Sequence, residues 1–332
     1  MNIKYIGKRI ATVCFCTLLS VGTLTGCGNQ TKLVFTAGLS GNQVFKIGNE
    51  TCTMPEIMIY LITFYNQYGD IYGSEMWNYD FGGMSLEMYV KDVVLTKMAQ
   101  IKVMNLMAEE RGITLSEEEE RNVAEAVDKY YQMLSEQLKE QENISKEVVE
   151  TVYREYTIAN KVYENITEAA DMEISDDEAR TVTVQKIRLK DKEMGNRALS
   201  RIKAGEDFAS VASELSEDSQ IVENYARGSV SGEFEEILFS LDTGEFSEVI
   251  ETPEGCYIVK CISTMDYEAT QENKLVLAEL RKKEAFSKAY TEIAKNTHSQ
   301  FKDKQWDKLT LNEEMYVTEA NFFAIYEEYV KQ

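Results

Sequence analysis

The chain has 332 residues, with 35 Lys and Arg against 57 Asp and Glu, giving a net charge of -22. That acidity argues against a nucleic-acid surface, which needs clustered cations to displace phosphate counterions. Its length allows at least two domains, each with its own core.

At the N-terminus, Lys4, Lys8 and Arg9 precede an apolar run from Ile10 to about Val21, and Leu24-Thr25-Gly26-Cys27 follows. The run is too short to span a bilayer and reads as a secretory signal over 1–26. Its end matches the bacterial lipobox, in which the cysteine, here Cys27, is diacylated and becomes the first mature residue. Removing 1–26 takes away three positive charges and no negative ones, so -22 becomes -25. So acidic a surface leaves anchoring to acyl chains and not to charge. Cys14 and Cys16 leave with the signal, and Cys52, Cys256 and Cys261 remain. Cys256 and Cys261 lie about 16 Å apart along one strand and cannot join. The odd number argues against a disulfide framework, and with His298 as the single histidine no metal site is expected.

Residues 27–43 read as a polar tether, and 44–51 as a short hairpin-like start. Thr53-Met-Pro55-Glu56 is a capping box with proline in the first turn. Helices are predicted over 56–68, 86–111, 117 to about 141 and 146–167. Val123, Val127, Tyr130, Leu134 and Leu138 form one stripe, and Val148, Val152, Tyr156, Ala159 and Tyr163 another. Met58, Tyr60, Phe64, Tyr65, Tyr68, Tyr72, Met76 and Trp77 read as ordinary core, with a soft, adaptable cleft as the functional alternative. The glutamates from Glu117 suit a solvated helix start.

Next comes a small α/β pattern. Residues 182–189 carry apolar positions on both faces, as a central strand does. Helices are predicted over 193–204, ended by Gly205, and from Phe208 after an Asp207 cap. After a linking segment, 234–241 is a short amphipathic helix and 256–262 a final strand. A long helix over 273–296 and an aromatic tail, Phe322-Phe323-Ala-Ile-Tyr326, complete the chain. No nucleophile–base pair, phosphate loop or acid/base pair stands out.

Ala204-Gly-Glu-Asp-Phe208-Ala, then Ala212, Ser216-Glu-Asp218, Arg227-Gly228, Phe239-Ser-Leu241 and Gly244-Glu-Phe-Ser247, resembles the parvulin-type prolyl isomerases over about a quarter of the chain. The helical surroundings, with the phrase Glu110-Arg-Gly112-Ile-Thr-Leu-Ser-Glu117, resemble extracytoplasmic foldases of the PrsA and SurA type. The resemblance implies an α+β protein. A helical chaperone module would be formed from both ends (44–175 and 265–332), with a parvulin-like domain at 176–264 inserted.

It also implies a site. Val230 and Phe234 fall at the proline-pocket positions, and Asp218 at the Cys/Asp position near the substrate carbonyl. Lys186 and Tyr257 stand where the family places histidines, and a Lys donor beside a Tyr hydroxyl would form a hydrogen-bond pair. The glycine-rich loop is replaced by Ser219-Gln-Ile-Val-Glu-Asn-Tyr225. Phe234 as plain core and Asp218 as a helix-end cap are the simpler readings. The expected function is a membrane-anchored extracytoplasmic foldase that binds unfolded exported polypeptides, with weak or absent isomerase activity. An active isomerase and an envelope scaffold are the alternatives. No cofactor and no nucleic acid are expected as partners, and a homodimer is compatible.

Overall fold

The computed structural model describes residues 41–72, 82–169, 173–230, 232–302 and 319–331, with positions 39, 77, 79, 80, 306, 309 and 311. Expectations for the signal, Cys27 and most of the tether, and for the side chains of Tyr72 and Met76, lie outside the described residues. The chain divides into two units, 1–169 with 283–332, and 170–282.

In the first unit, β1 (Gln43–Ile47) pairs antiparallel with β2 (Glu50–Thr53) and with β7 (Ser299–Phe301), so strands from both ends share one sheet. Helices α1 (Met54–Tyr72), α2 (Leu86–Arg111), α3 (Glu117–Met133), α4 (Glu136–Glu142) and α5 (Lys146–Glu168) follow. Serine hydroxyls start four of them: Ser85, Ser116, Ser135 and Ser145 accept from the backbone N–H three residues on, satisfying donors with no partner inside the helix. Gly112 stops α2 at φ +67, a left-handed angle that glycine takes without a Cβ clash. At α1, Glu56 accepts from both the N–H and the hydroxyl of Thr53.

The helix expected over 117–141 is two helices. Leu134 is extended and Ser135 caps α4, yet Val123, Val127, Tyr130, Leu134 and Leu138 are all buried. The buried face of α5 is wider than its predicted stripe and includes Val149, Tyr153 and Val162. Met58, Tyr60, Phe64, Tyr65 and Trp77 are buried core, not a cleft. The aromatic tail is α10 (Phe322–Tyr329), whose Phe322 ring lies 4.3 Å from Tyr153 and 5.0 Å from Tyr60. Tyr153 donates to the Phe322 carbonyl at 3.1 Å, fixing the C-terminal helix on a core made by α1, α3 and α5.

In the second unit, β3 (Thr181–Leu189), β4 (Val222–Ala226), β5 (Ile250–Thr252) and β6 (Gly255–Ser263) form an antiparallel sheet of order β4-β3-β6-β5. The predicted linking segment is therefore partly an edge strand. Helices α6 (Lys192–Lys203) and α7 (Phe208–Leu215) cover one face through Leu199, Ile202, Phe208 and Val211. Helix α8 (Glu233–Ser240) lies on the other, through Leu238. Gly195 permits the close approach of α6, since a Cβ there would sit 2.7 Å from Val249. Cys256 and Cys261 are buried thiols on opposite faces of the sheet.

Helix α9 (Tyr267–Asn296) starts six residues earlier than predicted. Its first part, through Lys282, belongs with the sheet unit rather than with the C-terminal segment. Thr270 accepts from Thr181 N–H, Asn273 donates to the Ala179 carbonyl, and Arg281 pairs with Glu178 at 2.5 Å.

A buried ion triad crosses the helical core. Lys102, 1 % exposed, reaches Glu56 at 2.7 Å and Glu155 at 2.5 Å, while Glu155 Oε2 finds no protein donor. One ammonium shared by two carboxylates leaves an excess buried negative charge. Burial therefore pushes Glu155 up to about 7, against the attraction of Lys102. A carboxyl raised in the fold contributes stability at low pH and loses it as pH rises through its folded value. Both tryptophans, Trp77 and Trp306, lie in this unit, so their fluorescence follows it. We predict that Lys102→Met costs about 3–5 kcal/mol in urea unfolding followed by tryptophan. Glu155→Gln should flatten the decline in wild-type stability between about pH 4.5 and about pH 7, the ordinary and the raised values of this carboxyl.

Candidate functional site

Strand alternation puts Val182, Val184, Lys186 and Arg188 of β3 on one face, with Ile187 and Leu189 on the other. Pairing sets their neighbours: Val184 opposite Glu223, Val182 opposite Tyr225, Lys186 opposite Val259 and Arg188 opposite Tyr257. The sheet thus gathers two cations, one carboxylate and two tyrosines on the face that meets α8.

The loop after α7 adds a second carboxylate. Ser216 Oγ accepts from the N–H groups of both Arg188 and Asp218, and Glu217 N–H donates to the Arg188 carbonyl. The Ser216-Glu-Asp218 run is thereby tied to β3, and Asp218 faces Lys186. Asp218 does not cap a helix here; Ser216 occupies the C-cap of α7.

These groups form a closed network. Lys186 Nζ lies 2.5 Å from Glu223 Oε2 and 3.2 Å from Asp218 Oδ2, and Arg188 Nη1 is 3.3 Å from Asp218 Oδ1. Tyr225 donates to Glu223 at 2.8 Å, and Arg188 donates to the Glu254 carbonyl at 3.1 Å. Two positive charges meet two negative ones. Burial opposes the Lys186 charge, but hydrogen bonds to Glu223 and Asp218 outweigh it and hold the ammonium well above its ordinary range. Burial likewise works against the two carboxylates, and their cationic partners still keep both below their ordinary values. Burial, then the bond to Glu223, pushes Tyr225 up to about 12.

Beside the network is an apolar patch. The Phe234 ring stands 5.8 Å from Tyr225, edge-on, and 5.4 Å from Tyr257, and Val230 and Phe234 pack half-buried on the core under α8. Thus Lys186 meets Asp218, and Phe234 meets Tyr257. The pairing of Lys186 with the Tyr257 hydroxyl does not form: the ammonium is taken up by the two carboxylates. A hollow of about 440 Å³ between Arg180, Arg227, Glu236 and Phe239 opens elsewhere in this unit and is lined by none of the five predicted site residues.

Arg188, Glu223 and Tyr225 were missed by the sequence reading. The signal was the alternation in Val222-Glu-Asn-Tyr-Ala226, which marks an edge strand facing Lys186. Among the described residues no group of three or more His, Cys, Asp or Glu side chains is placed to hold a metal ion.

Residues 174–263 match the family model Rotamase, the PPIC-type PPIase domain. Foldase protein PrsA of Caldanaerobacter subterraneus is 27 % identical over 266 residues, 74 % of this chain and 80 % of the relative. The chain is similar to the PrsA foldases, with a parvulin-type domain at 174–263. Foldase protein PrsA of Oceanobacillus iheyensis is 34 % identical over 101 residues, covering 29 % of this chain and 34 % of the relative. The crystal structure of the Bacillus cereus peptidylprolyl isomerase PrsA aligns with 18 % identity and a TM-score of 0.40, over 72 % of this chain and 89 % of that one. The parvulin-type segment contains no histidine, and His298 lies outside it and is exposed.

The network sets a pH response. Carboxyls depressed in the fold give stability above their unfolded values and lose it as pH falls through the folded ones. We predict that Lys186→Met, which leaves Asp218 and Glu223 face to face, costs about 1–2 kcal/mol at pH 7, discounted for partial exposure. The cost should fade below about pH 4, where carboxylates protonate. Hydrogen exchange of the β3 and β6 amides would read it.

Proposed function

We propose that the protein is a lipid-anchored, extracytoplasmic foldase that binds unfolded exported polypeptides, and that its parvulin site turns X-Pro bonds over at close to the uncatalysed rate. One observation carries the catalytic half of this reading: the charged ends of Lys186, Arg188, Asp218 and Glu223 are bound to one another. An X-Pro bond is held by a barrier of roughly 20 kcal/mol, and lowering it requires a proline grip together with donors free to meet the twisted amide. Phe234, Val230 and Tyr257 offer the grip. Lys186 and Arg188 are engaged by Asp218, Glu223 and the Glu254 carbonyl.

What supports client binding is the set of PrsA relatives, which are named foldases, and exposed apolar side chains within each unit taken by itself. Met84, Met88 and Tyr89 at the start of α2, and Leu275, Val276 and Leu280 on α9, are exposed. Thioether and aromatic side chains adapt to varied sequences. Anchoring rests on Leu24-Thr25-Gly26-Cys27 after a basic and apolar stretch. No helix of the described residues is long and apolar enough to cross a membrane.

In a protease-coupled assay the mature chain is expected to leave the isomerisation rate of an X-Pro peptide within about twofold of the blank. In the same buffer it should suppress aggregation of an unfolded test protein. Robust isomerisation lost in Lys186→Ala or Tyr257→Phe would establish an active isomerase instead, and absence of both activities would favour a scaffold. Separately, Cys27→Ala should accumulate as a signal-bearing precursor without acyl label. Acyl labelling equal to the wild type would remove the anchor.

A further inference from the structure

Glu223 holds an unusual position in the network. Its Oε2 alone takes both the Lys186 ammonium, at 2.5 Å, and the Tyr225 hydroxyl, at 2.8 Å. Asp218 is different, because it is shared between Lys186 and Arg188 and is anchored through Ser216 to the backbone of β3. Glu223 sits on the edge strand, opposite Val184, with its neighbour Tyr225 edge-on to Phe234. One edge-strand carboxylate therefore ties up two of the donors beside the apolar patch, Lys186 and Tyr225.

We propose that Glu223 is an internal latch on the parvulin site: its carboxylate occupies the donors of Lys186 and Tyr225 and so keeps a domain able to seat proline from catalysing its rotation. The proposal rests on the reading that the Phe234 face receives X-Pro segments. The chemistry involves no bond making or breaking. As the C–N bond twists, amide resonance is lost and the electron pair localises on the prolyl nitrogen, which becomes an acceptor. A donor aimed at that nitrogen, and unbound beforehand, favours the twisted state over the planar one. Lys186 has three N–H donors and spends two of them on carboxylates. Those two bonds fix the direction of the third; once the Glu223 charge is removed, Asp218 still holds the ammonium and keeps it charged, while the ammonium can rotate and turn a donor, with the Tyr225 hydroxyl, to the ligand. The other charged and titratable groups on this face, Arg188, Tyr257 and the Glu254 segment, are not bound to Glu223.

The test uses the full mature chain with a Xaa-Pro-Phe peptide as probe, in two measurements. NMR first asks whether the peptide perturbs labelled Phe234 and Tyr257 in the wild type, as expected. The coupled assay then compares kcat/KM of wild type, Glu223→Gln, Glu223→Ala and Glu223→Gln/Lys186→Met, each with a native amide spectrum. At least a tenfold gain is expected in both single variants. It should vanish in the double variant. A wild type that seats the peptide, with no gain in either single variant, overturns the latch and leaves the binding reading standing. A gain that survives Lys186→Met overturns Lys186 as the released donor. No perturbation of Phe234 or Tyr257 overturns the binding reading and the latch together.

Discussion

The sheet unit depends on one placement: Lys186, in the middle of the central strand, facing two carboxylates across a half-buried face. A lone ammonium there would be costly, and so would either carboxylate without it. The pairing explains why the loop after α7 is tied to β3 through Ser216, and why Val222–Ala226 runs as an edge strand instead of a glycine-rich loop. A glycine loop gives backbone freedom; this chain uses the same stretch to deliver Glu223 and Tyr225. The exchange converts a site of titratable donors into a charge-balanced one. At neutral pH nothing in it changes charge, and the apolar patch of Val230, Phe234 and Tyr257 is left beside it.

The helical unit solves a different problem, that of joining two distant stretches of chain. Strand β7 adds to β1, and Phe322 inserts among Tyr60, Tyr153 and Tyr156. Aromatic side chains bury large areas and prefer tilted contacts, so a short C-terminal helix can be held by few residues. At the centre of this core the chain keeps Lys102 between Glu56 and Glu155, where packed apolar side chains would be at least as stable. The result is a core with a built-in response near neutral pH, set by the excess carboxylate.

Much of the fold was legible because local signals agreed with burial. The Thr53–Glu56 box, the Asp207 cap and the stripe from Val123 to Leu138 mark elements that tertiary contacts leave in place. The break at Leu134–Ser135 was hidden because the stripe runs through it unbroken. The start of α9 at Tyr267 was hidden because Thr270 and Asn273 are fixed by the backbone around β3, a contact with no periodic signature. At the site, family-equivalent positions identified Lys186, Asp218, Val230, Phe234 and Tyr257. They could not reveal what Lys186 touches, because its second partner lies on a strand read as a linker. Sequence spacing locates side chains on a strand, whereas pairing across strands decides which charges meet.

The central claim is that Lys186 is locked in a neutralised network while the apolar patch stays available. Side-chain nitrogen NMR of labelled lysine, recorded through alkaline pH with and without an X-Pro peptide, tests it most directly. A Lys186 ammonium that stays charged beyond the titration of the surface lysines, and does not shift when the peptide perturbs Phe234 and Tyr257, is the predicted result. A Lys186 signal that titrates with the surface lysines, or moves with the peptide as Phe234 does, would contradict the account.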